Sequence, residues 1–441
     1  MILADYIELH AKNNPDKPAI VCNGEVTSYK QLAEKIKSKA NELLQSDADS
    51  NNKIRTFCAS QDVNFIVKYF ALHKAGLVAA PLEKDTPPQL FDEITAKLSK
   101  CNVPADTADI LYTTGTTGKS KGVMISHRTI LANAENLIEG QGFSSNLLFI
   151  ITGPLNHIGS LSKLYPVMML GATIAITEGM KNVTQFFDAL ELPYPKAATF
   201  LVPSAIRILL QLNSKKLKQY ASKIDFIETG AAPISHADMV LLCNTLPNSR
   251  LYNTYASTET GIISTYNFND GKCIQGCLGR PMKHSKIVIT ESGLISCMGD
   301  TLMSGYAGDE QLTQKVLVND TITTSDYGKI NEEGMLILYG REDDVINIGG
   351  YKVAPTEVEN VAMSIPQIKD CICIPANHNI LGTVLKLLYV SDNAPTAKEI
   401  ANYIKTKLEN YKVPFFYEQT DSIKRTYNGK TDRKYYKENF K

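Results

Sequence analysis

The sequence has little of several features that would narrow the class of a protein at once. Lysine plus arginine and aspartate plus glutamate each number 46, so no net charge favours nucleic acid or a membrane surface. The longest apolar stretch, from Leu164 to Ile176, is interrupted by Pro166 and Gly171 and is too short to cross a bilayer. The first residues lack a basic region before an apolar core, so they indicate a helix rather than a signal peptide.

The cysteine residues indicate neither a disulfide framework nor a metal site. The nine cysteines are odd in number, which argues against a complete set of disulfides. The close pairs are Cys273 with Cys277 and Cys371 with Cys373, and neither has a second pair at zinc-site spacing. We therefore expect buried free thiols and a reducing cytoplasm, without membrane insertion or a nucleic-acid partner.

Length and periodicity indicate the architecture. A chain of 441 residues with 44% hydrophobic residues exceeds one ordinary core. Helical and strand patterns alternate, which predicts an α/β fold with parallel strands, and the pattern becomes rich in strands after Ile287. We expect a boundary near Arg341. Residues 1–341 would form a large domain of several subdomains, and residues 342–441 a small α+β domain.

Local patterns predict individual elements. Asn23-Gly24 after an apolar run indicates a β-hairpin. A strand is expected at 198–202, and another at 250–252 that ends before the polar segment beginning at Asn253. Ser126 and His127 begin a helical pattern.

The most informative segment runs from Asp109 to His127. Between Thr113 and Gly122 it offers four threonine hydroxyls, two ammonium groups and many backbone N–H donors. Small residues permit close approach of a polyphosphate, and the donors match its anionic oxygens. The segment is not a Walker loop, because that pattern needs a glycine five positions before Gly118, where Thr113 stands.

This segment resembles the phosphate loop of the adenylate-forming superfamily, which includes acyl- and aryl-CoA synthetases. The family pattern is Tyr-Thr-Ser-Gly-Thr-Thr-Gly, any residue, Pro-Lys-Gly, and Ser120 stands here where proline is usual. The resemblance implies that ATP phosphates contact Thr113, Thr114, Gly115, Thr116, Thr117, Gly118 and Lys121.

Further segments resemble the family in the same order. The segment from Asn253 to Gly261 matches Asn-x-Tyr-Gly-x-Thr-Glu, with Ala256 in place of glycine. The resemblance implies adenine stacking by Tyr255, an α-phosphate contact from Thr258 and Mg²⁺ binding by Glu259. A polar loop with a surface glutamate is the alternative.

Two more sites complete the nucleotide pocket that the resemblance implies. Gly230, Ala231 and Ala232 would pack edge-on to adenine and form one wall of the acyl slot, although a plain connection explains them equally well. Asp326 would bind the ribose hydroxyls, and Arg341 would support the ribose or phosphate side.

The carboxyl-terminal segments resemble the small domain of the family. Asp343 matches the hinge, and Gly349 and Gly350 match the loop that approaches the thiol arm after rotation. Lys430 matches the catalytic lysine of Pro-Arg-Thr-x-x-Gly-Lys, with Lys424 in place of proline. A solvated basic tail is the alternative at this position.

The resemblance implies two half-reactions. A carboxylate attacks the α-phosphate of Mg·ATP, and the acyl-adenylate then passes to a phosphopantetheine thiol, either of CoA or of an acyl carrier protein. His157 lies in a segment similar to Pro-Leu-Phe-His-x-x-Gly-Leu and would stand near the carboxylate, or it is a packing histidine. Relatives in this family that activate amino acids carry an aspartate near this segment, and none occurs between Gly153 and Lys163, so we expect a carboxylic acid without an amino group. The resemblance to acyl- and aryl-CoA synthetases implies CoA as the acceptor. The alternatives are an acyl carrier protein ligase and a silent relative that only binds nucleotide.

Overall fold

The computed structural model describes residues 1–46, 52–113, 121–180, 182–426 and 430–440. The α-helices in these ranges are α1 (Leu3–Asn13), α2 (Tyr29–Ser46), α3 (Val63–Lys74), α4 (Pro88–Leu98), α5 (His127–Gln141), α6 (Ile158–Leu170), α7 (Val183–Glu191), α8 (Pro203–Gln219), α9 (His236–Thr245), α10 (Glu310–Val316), α11 (Pro355–Ala362), α12 (Ala397–Lys405) and α13 (Arg433–Asn439). The strands are β1 (Pro18–Cys22), β2 (Glu25–Ser28), β3 (Ile54–Cys58), β4 (Val78–Leu82), β5 (Thr107–Thr113), β6 (Lys121–Ser126), β7 (Leu147–Ile151), β8 (Thr173–Ile176), β9 (Lys196–Phe200), β10 (Ile224–Thr229), β11 (Arg250–Ser257), β12 (Gly261–Asn267), β13 (Cys277–Pro281), β14 (Ser285–Ile289), β15 (Leu294–Gly299), β16 (Gly305–Tyr306), β17 (Leu317–Val318), β18 (Thr321–Ile330), β19 (Leu336–Arg341), β20 (Ile346–Ile348), β21 (Tyr351–Val353), β22 (Asp370–His378), β23 (Gly382–Val390) and β24 (Phe416–Gln419).

A long mixed sheet forms the centre of the large domain. Strands β1, β8, β7, β9, β10 and β11 lie side by side and parallel, and β12 begins an antiparallel part that extends to β14. Both faces of the parallel part are buried, as an all-apolar strand such as β7 requires. Phe149 of β7 packs into one core, and Leu148 and Ile150 pack into the other.

A second sheet has the order β16-β6-β5-β4-β3. Its strands β3, β4 and β5 are parallel, whereas β6 returns antiparallel to β5 and then pairs with β16. Tyr306 of β16 is therefore aligned with Val123 of β6, although 183 positions separate them in sequence. This pairing brings a distant segment beside the threonine-rich segment.

The smaller carboxyl-terminal domain has a core of its own. Strands β22, β23 and β24 form one sheet, and β20 and β21 form a hairpin. Cys373 and Leu387 face a core shared with α11 and α12, whereas Ile372 and Leu388 face Tyr436 of α13. The expected α/β fold, with a large parallel-sheet domain followed by a smaller α+β domain, is confirmed.

Several predicted elements are present, and two differ. The hairpin at Asn23-Gly24 is confirmed, since both residues have positive φ between the antiparallel β1 and β2. The strand expected at 198–202 lies at Lys196–Phe200, because Pro203 begins α8. The strand expected to end at 252 continues to Ser257, because β11 pairs with β12 from Tyr252 to Ser257.

The remaining composition-based expectations concern cysteine and membranes. Each of the nine cysteines lies in the described ranges and is a free thiol, and Cys277, Cys371 and Cys373 are buried as expected. Cys273 is only half-buried, which differs from the expectation. Among the described helices, none is both long enough and apolar enough to cross a bilayer.

Candidate active site

The ends of the threonine-rich segment are held side by side. Thr113 ends β5, Lys121 begins β6, and the two residues are paired across the antiparallel ladder. Thr114, Gly115, Thr116, Thr117 and Gly118 lie outside the described residues. The Lys121 ammonium stands 5.5 Å from the centre of the Tyr306 ring, in the position of a cation–π contact.

Tyr306 connects Lys121 to the predicted magnesium ligand. Its hydroxyl donates to Glu259 Oε1 over 3.2 Å, and burial together with the Glu259 charge raises the pKa of Tyr306, so the hydroxyl stays a donor. Met303 N also donates to the backbone carbonyl of Glu259 over 2.8 Å. Sequence reasoning missed Tyr306, because no local pattern marks it and only the β6–β16 pairing brings it here.

Thr258 and Glu259 occupy the turn between β11 and β12, where the predicted nucleotide segment ends. Within the described ranges, no three His, Cys, Asp or Glu side chains come together as a metal cage. A single carboxylate still fits Mg²⁺, because this ion keeps several waters and takes phosphate oxygens as its other ligands.

The predicted ribose ligand lies in a small hydrogen-bonded group. Tyr255 donates to Asp326 Oδ2 over 2.7 Å, and Arg341 Nε lies 3.3 Å from Asp326 Oδ1. Asp326 and Arg341 are partners across the β18–β19 ladder. Burial and the Asp326 charge raise the pKa of Tyr255, which keeps its hydroxyl protonated. The structure thus brings three predicted nucleotide residues together.

Asn253 differs from these residues, because its side chain is committed to the fold. It is buried, and Nδ2 donates to the Cys277 carbonyl over 3.0 Å, linking β11 to β13. The Nδ2 group of Asn253 is therefore not available to adenine in this arrangement.

The turn after β10 approaches β11 closely. A Cβ added to Gly230 would lie 2.9 Å from the Thr254 carbonyl oxygen and 3.7 Å from the Phe200 ring. Ala231 has a φ of +65°, and Ala232 follows it in the same turn. Residues without large side chains therefore stand between β11, which carries Tyr255, and Phe200.

His157 is tied to the second sheet. It is the cap residue before α6, and its Nε2 lies 2.8 Å from Oε1 of Glu83, which directly follows β4. The side chain of His157 remains 25% exposed, so one edge of the ring is open to solvent. Glu83 was not predicted, since its pairing spans two subdomains.

Lys430 lies within electrostatic range of the same group. Surrounding protein lowers the pKa of the Lys430 ammonium, Arg341 lowers it further, and Glu259 and Asp326 oppose these effects. Lys430 is nevertheless exposed to solvent. The carboxyl-terminal tail thus brings an ammonium to the predicted nucleotide residues.

The two glycines predicted to approach the thiol arm lie in a different part of the small domain from Lys430. Gly349 and Gly350 form the turn of the β20–β21 hairpin with φ of +55° and +94°, and they are exposed. A Cβ on either residue would meet nothing within 4 Å. In this arrangement Lys430, and not the glycine turn, stands at the nucleotide residues. Asp343, the predicted hinge, sits in the short 3-10 turn Glu342–Asp344 and accepts a hydrogen bond from Lys437 through its carbonyl.

Comparison with known proteins identifies the family of the chain. The profile of the family described as AMP-binding enzyme matches residues 89–307, and that of the AMP-binding enzyme C-terminal domain matches residues 357–430. The chain belongs to the AMP-binding enzymes. This family belongs to the adenylate-forming superfamily. The protein is therefore an acid–thiol ligase that uses ATP and forms AMP, and its substrate is a carboxylic acid.

Two curated relatives are distant in sequence. The AMP-binding enzyme is 26% identical to the D-alanine--D-alanyl carrier protein ligase of Staphylococcus aureus, over 75% of this chain and 70% of that protein. It is 23% identical to surfactin synthase subunit 2 of Bacillus subtilis over 98% of this chain, which spans 14% of that protein.

Solved structures share the whole fold. The ATP-bound MatB of Rhodopseudomonas palustris superposes with a TM-score of 0.86 at 22% identity, covering 99% of both chains. The anthranilate CoA ligase AuaEII in complex with anthranoyl-AMP gives a TM-score of 0.87 at 14% identity, covering 99% of this chain and 96% of that chain. At these identities the likeness establishes the fold alone.

Proposed function

We propose that this AMP-binding enzyme activates a non-amino carboxylic acid as its acyl-adenylate and transfers the acyl group to a phosphopantetheine thiol, with CoA as the first candidate. The observation that carries the proposal is Lys430, whose ammonium lies in range of Glu259, Asp326 and Arg341. Such a cluster gathers a cation for the incoming carboxylate, a carboxylate for Mg²⁺ and a carboxylate for ribose.

The first half-reaction needs positioning rather than a base. A carboxylic acid is already ionised near neutral pH, so its oxygen attacks the α-phosphorus while the bond to the β-phosphate breaks and pyrophosphate leaves. Lys430 would orient the carboxylate and offset charge on the phosphate. Mg²⁺ held by Glu259 would neutralise phosphate charge, and Lys121 would bind a phosphate oxygen.

The second half-reaction requires the ammonium to leave. The thiol sulfur attacks the acyl carbon, the carbon–oxygen bond to phosphate breaks, and AMP is released. We propose that residues 342–441 rotate about Asp343, withdraw Lys430 and bring the turn of Gly349 and Gly350 toward the thiol arm. The exposed position of that turn in the present arrangement supports this assignment.

A carrier protein is the second candidate for the acceptor. The relative of Staphylococcus aureus is named as a ligase for a D-alanyl carrier protein, and it aligns with 75% of this chain. CoA and carrier proteins end in the same phosphopantetheine thiol, so both acceptors fit the same two steps. The cytoplasmic location stays a prediction from the sequence.

The test separates the two half-reactions. Pyrophosphate release is measured with a panel of aliphatic, aromatic and amino acids, and thioester formation is then measured with CoA and with a phosphopantetheinylated carrier. Lys430→Ala should abolish pyrophosphate release yet retain thioester formation from supplied acyl-adenylate. Lys424→Ala is the matched control, because Lys424 lies over Tyr435, 3.7 Å from the ring centre.

Three results would contradict the proposal. Release with amino acids alone would refute the substrate class, and equal loss of both half-reactions in Lys430→Ala would refute the role of Lys430. No release with any acid, while ATP still binds, would indicate a silent relative that only binds nucleotide.

A further inference from the structure

A buried ion pair lies beside the candidate acyl slot and has unused hydrogen-bonding capacity. Lys163 Nζ stands 2.8 Å from Glu228 Oε1, and the two side chains are only 3% and 0% exposed. Among the described residues, Glu228 Oε2 has no hydrogen-bond partner. Buried polar atoms are nearly always satisfied, so an unpartnered carboxylate oxygen at this depth requires an explanation.

The lysine is also incompletely used. An ammonium has three N–H donors, and within the described parts of the chain Lys163 donates one of them, to Glu228. Its other close neighbour is the Phe200 ring, whose centre lies 5.2 Å from Nζ. The pair thus offers donors and one acceptor in the same place.

The fold places this pair next to the predicted wall of the acyl slot, since Glu228 lies on β10 directly before the turn of Gly230. Along β10 side chains alternate, so Phe226, Glu228 and Gly230 share one face, and Glu228 lies about 7 Å before Gly230. Gly230 has no side chain and borders Thr254, the neighbour of Tyr255. Gly230 therefore connects the strand of Glu228 to the neighbouring strand β11, which carries Tyr255.

Phe200 lies between the ion pair and the same turn. Its ring is bordered by two glycines, since a Cβ on Gly159 would lie 3.1 Å from it and one on Gly230 would lie 3.7 Å away. Phe200 is only partly buried, and its ring lies next to the fully buried Lys163. Gly159 is two residues after His157, which places the predicted carboxylate side at the start of α6 and Lys163 further along it.

We propose that Lys163 and Glu228 bind the far end of the substrate acid, and that this end carries a neutral hydroxyl or carboxamide group. This inference rests on the function proposed above. A hydroxyl or carboxamide accepts from the Lys163 ammonium and donates to Glu228 Oε2, which uses the spare capacity of both groups. The pair has no net charge wherever its proton resides, so a charged tail would leave an uncompensated buried charge. A purely apolar tail would leave Glu228 Oε2 unsatisfied.

The test is calorimetric binding of two unreactive adenylate analogues that differ at one atom of the tail. The probes are acylsulfamoyl adenosines with a γ-hydroxybutanoyl or a pentanoyl group, which match in size and differ by hydroxyl against methyl. We expect the wild-type enzyme to bind the hydroxyl analogue at least about tenfold more tightly, because a site built for a hydroxyl rejects its methyl counterpart.

Variants assign the preference to the pair. Lys163→Met with Glu228→Leu replaces it by apolar side chains of similar volume, a change that buried ion pairs tolerate, and it should abolish or invert the preference. The single change Glu228→Gln should weaken the preference and serves where the double variant does not fold. Lys412→Met with Glu357→Leu is the matched control, because this pair has the same 2.8 Å separation but lies in the small domain.

Each outcome has a defined meaning. Equal affinity for the two analogues, or tighter binding of pentanoyl, would overturn the inference and indicate a structural ion pair. Binding of ATP without binding of either analogue would also overturn it and leave the nucleotide site intact. If the wild-type enzyme binds neither ATP nor either analogue, the proposed function itself is refuted.

Discussion

Arg207 of α8 forms an ion pair between the two domains. Its Nη1 donates to Asp370 Oδ1 of β22 over 2.7 Å, and its Nη2 donates to Asp238 Oδ2 over 2.9 Å. Asp370 also accepts from Arg425, five residues before Lys430. We therefore expect Arg207 to stabilise the domain orientation in which Lys430 reaches the nucleotide residues, and Arg207→Gln to weaken it.

The magnitude follows from the number and burial of the bonds lost between domains. The side chains of Arg207 and Asp370 are 16% and 19% exposed, so solvent screens them only partly. One charge-assisted hydrogen bond is worth about 1.5–3 kcal/mol, and we take the lower end for partly exposed partners. About 1.4 kcal/mol is a factor of ten, so the population of this orientation should fall by about tenfold relative to others.

The assay compares the two half-reactions in the same preparation. Arg207→Gln should slow pyrophosphate release by up to about tenfold, while thioester formation from supplied acyl-adenylate is unchanged or faster. Arg250→Gln is the control, because the Arg250–Asp225 pair of 2.7 Å lies entirely within the large domain. The control should lower stability without separating the half-reactions.

A double-mutant cycle with Asp370→Asn sharpens the result. If Arg207 acts through Asp370, the second substitution should add little to the first in the pyrophosphate assay. Additive losses, or equal slowing of both half-reactions by Arg207→Gln, would refute the assigned role of this ion pair.

Three further predictions concern pH and backbone strain. The lowered pKa of Lys430 predicts that pyrophosphate release is lost as pH rises, at a lower pH than for a free lysine, and that Lys430→Arg moves this loss upward; an unchanged alkaline limb would contradict the role. Burial lowers the pKa of His127 from 6.5 to about 4, so the folded state favours the neutral ring. The free energy of unfolding should therefore be highest above about pH 6.5 and should decrease as the pH falls toward 4, because only the unfolded state gains the proton in that range. Urea unfolding of His127→Gln should accordingly show a shallower acid dependence than wild type, by at most about 1.4 kcal/mol per pH unit, and parallel curves would contradict this. Gly279→Ala should lower the free energy of unfolding by more than about 2 kcal/mol, because its φ is +77° and the new Cβ would lie 1.9 Å from the Thr265 carbonyl. Gly293→Ala, with φ of +85° and a nearest atom at 3.6 Å, should lower it less. Equal urea midpoints for the two variants would contradict the clash.

Local sequence patterns determined many of the helices, strands and turns of the large domain. Apolar runs such as Leu147–Ile151 predict strands buried on both faces, and Asn23-Gly24, where φ is positive, predicts a hairpin. The N-cap Ser126, whose hydroxyl accepts from Thr129 N over 3.0 Å, begins α5 where its side chain indicates. These features depend on neighbours within a few positions, so the sequence alone expresses them.

Chemistry-bearing residues were also apparent from residue type and order. Asp326, Glu259 and Lys430 were predicted as nucleotide-site residues, and in the structure both carboxylates act electrostatically on the Lys430 ammonium. Their assigned roles remain proposals, since charge and proximity alone do not identify a ligand. Thr113 and Lys121 required only that the two ends of one short segment meet.

Tertiary structure alone decided which distant side chains pair. Tyr306 reaches Glu259 because β16 adds to β6, Glu83 reaches His157 across two subdomains, and Lys163 of α6 meets Glu228 of β10 in the core. Each pairing joins segments separated by at least 47 positions, and neither periodicity nor propensity carries information over that range. The physical reason is that the backbone ladder and the packing of helices on the sheet select the partners, and the resulting burial then determines which polar atoms must be satisfied.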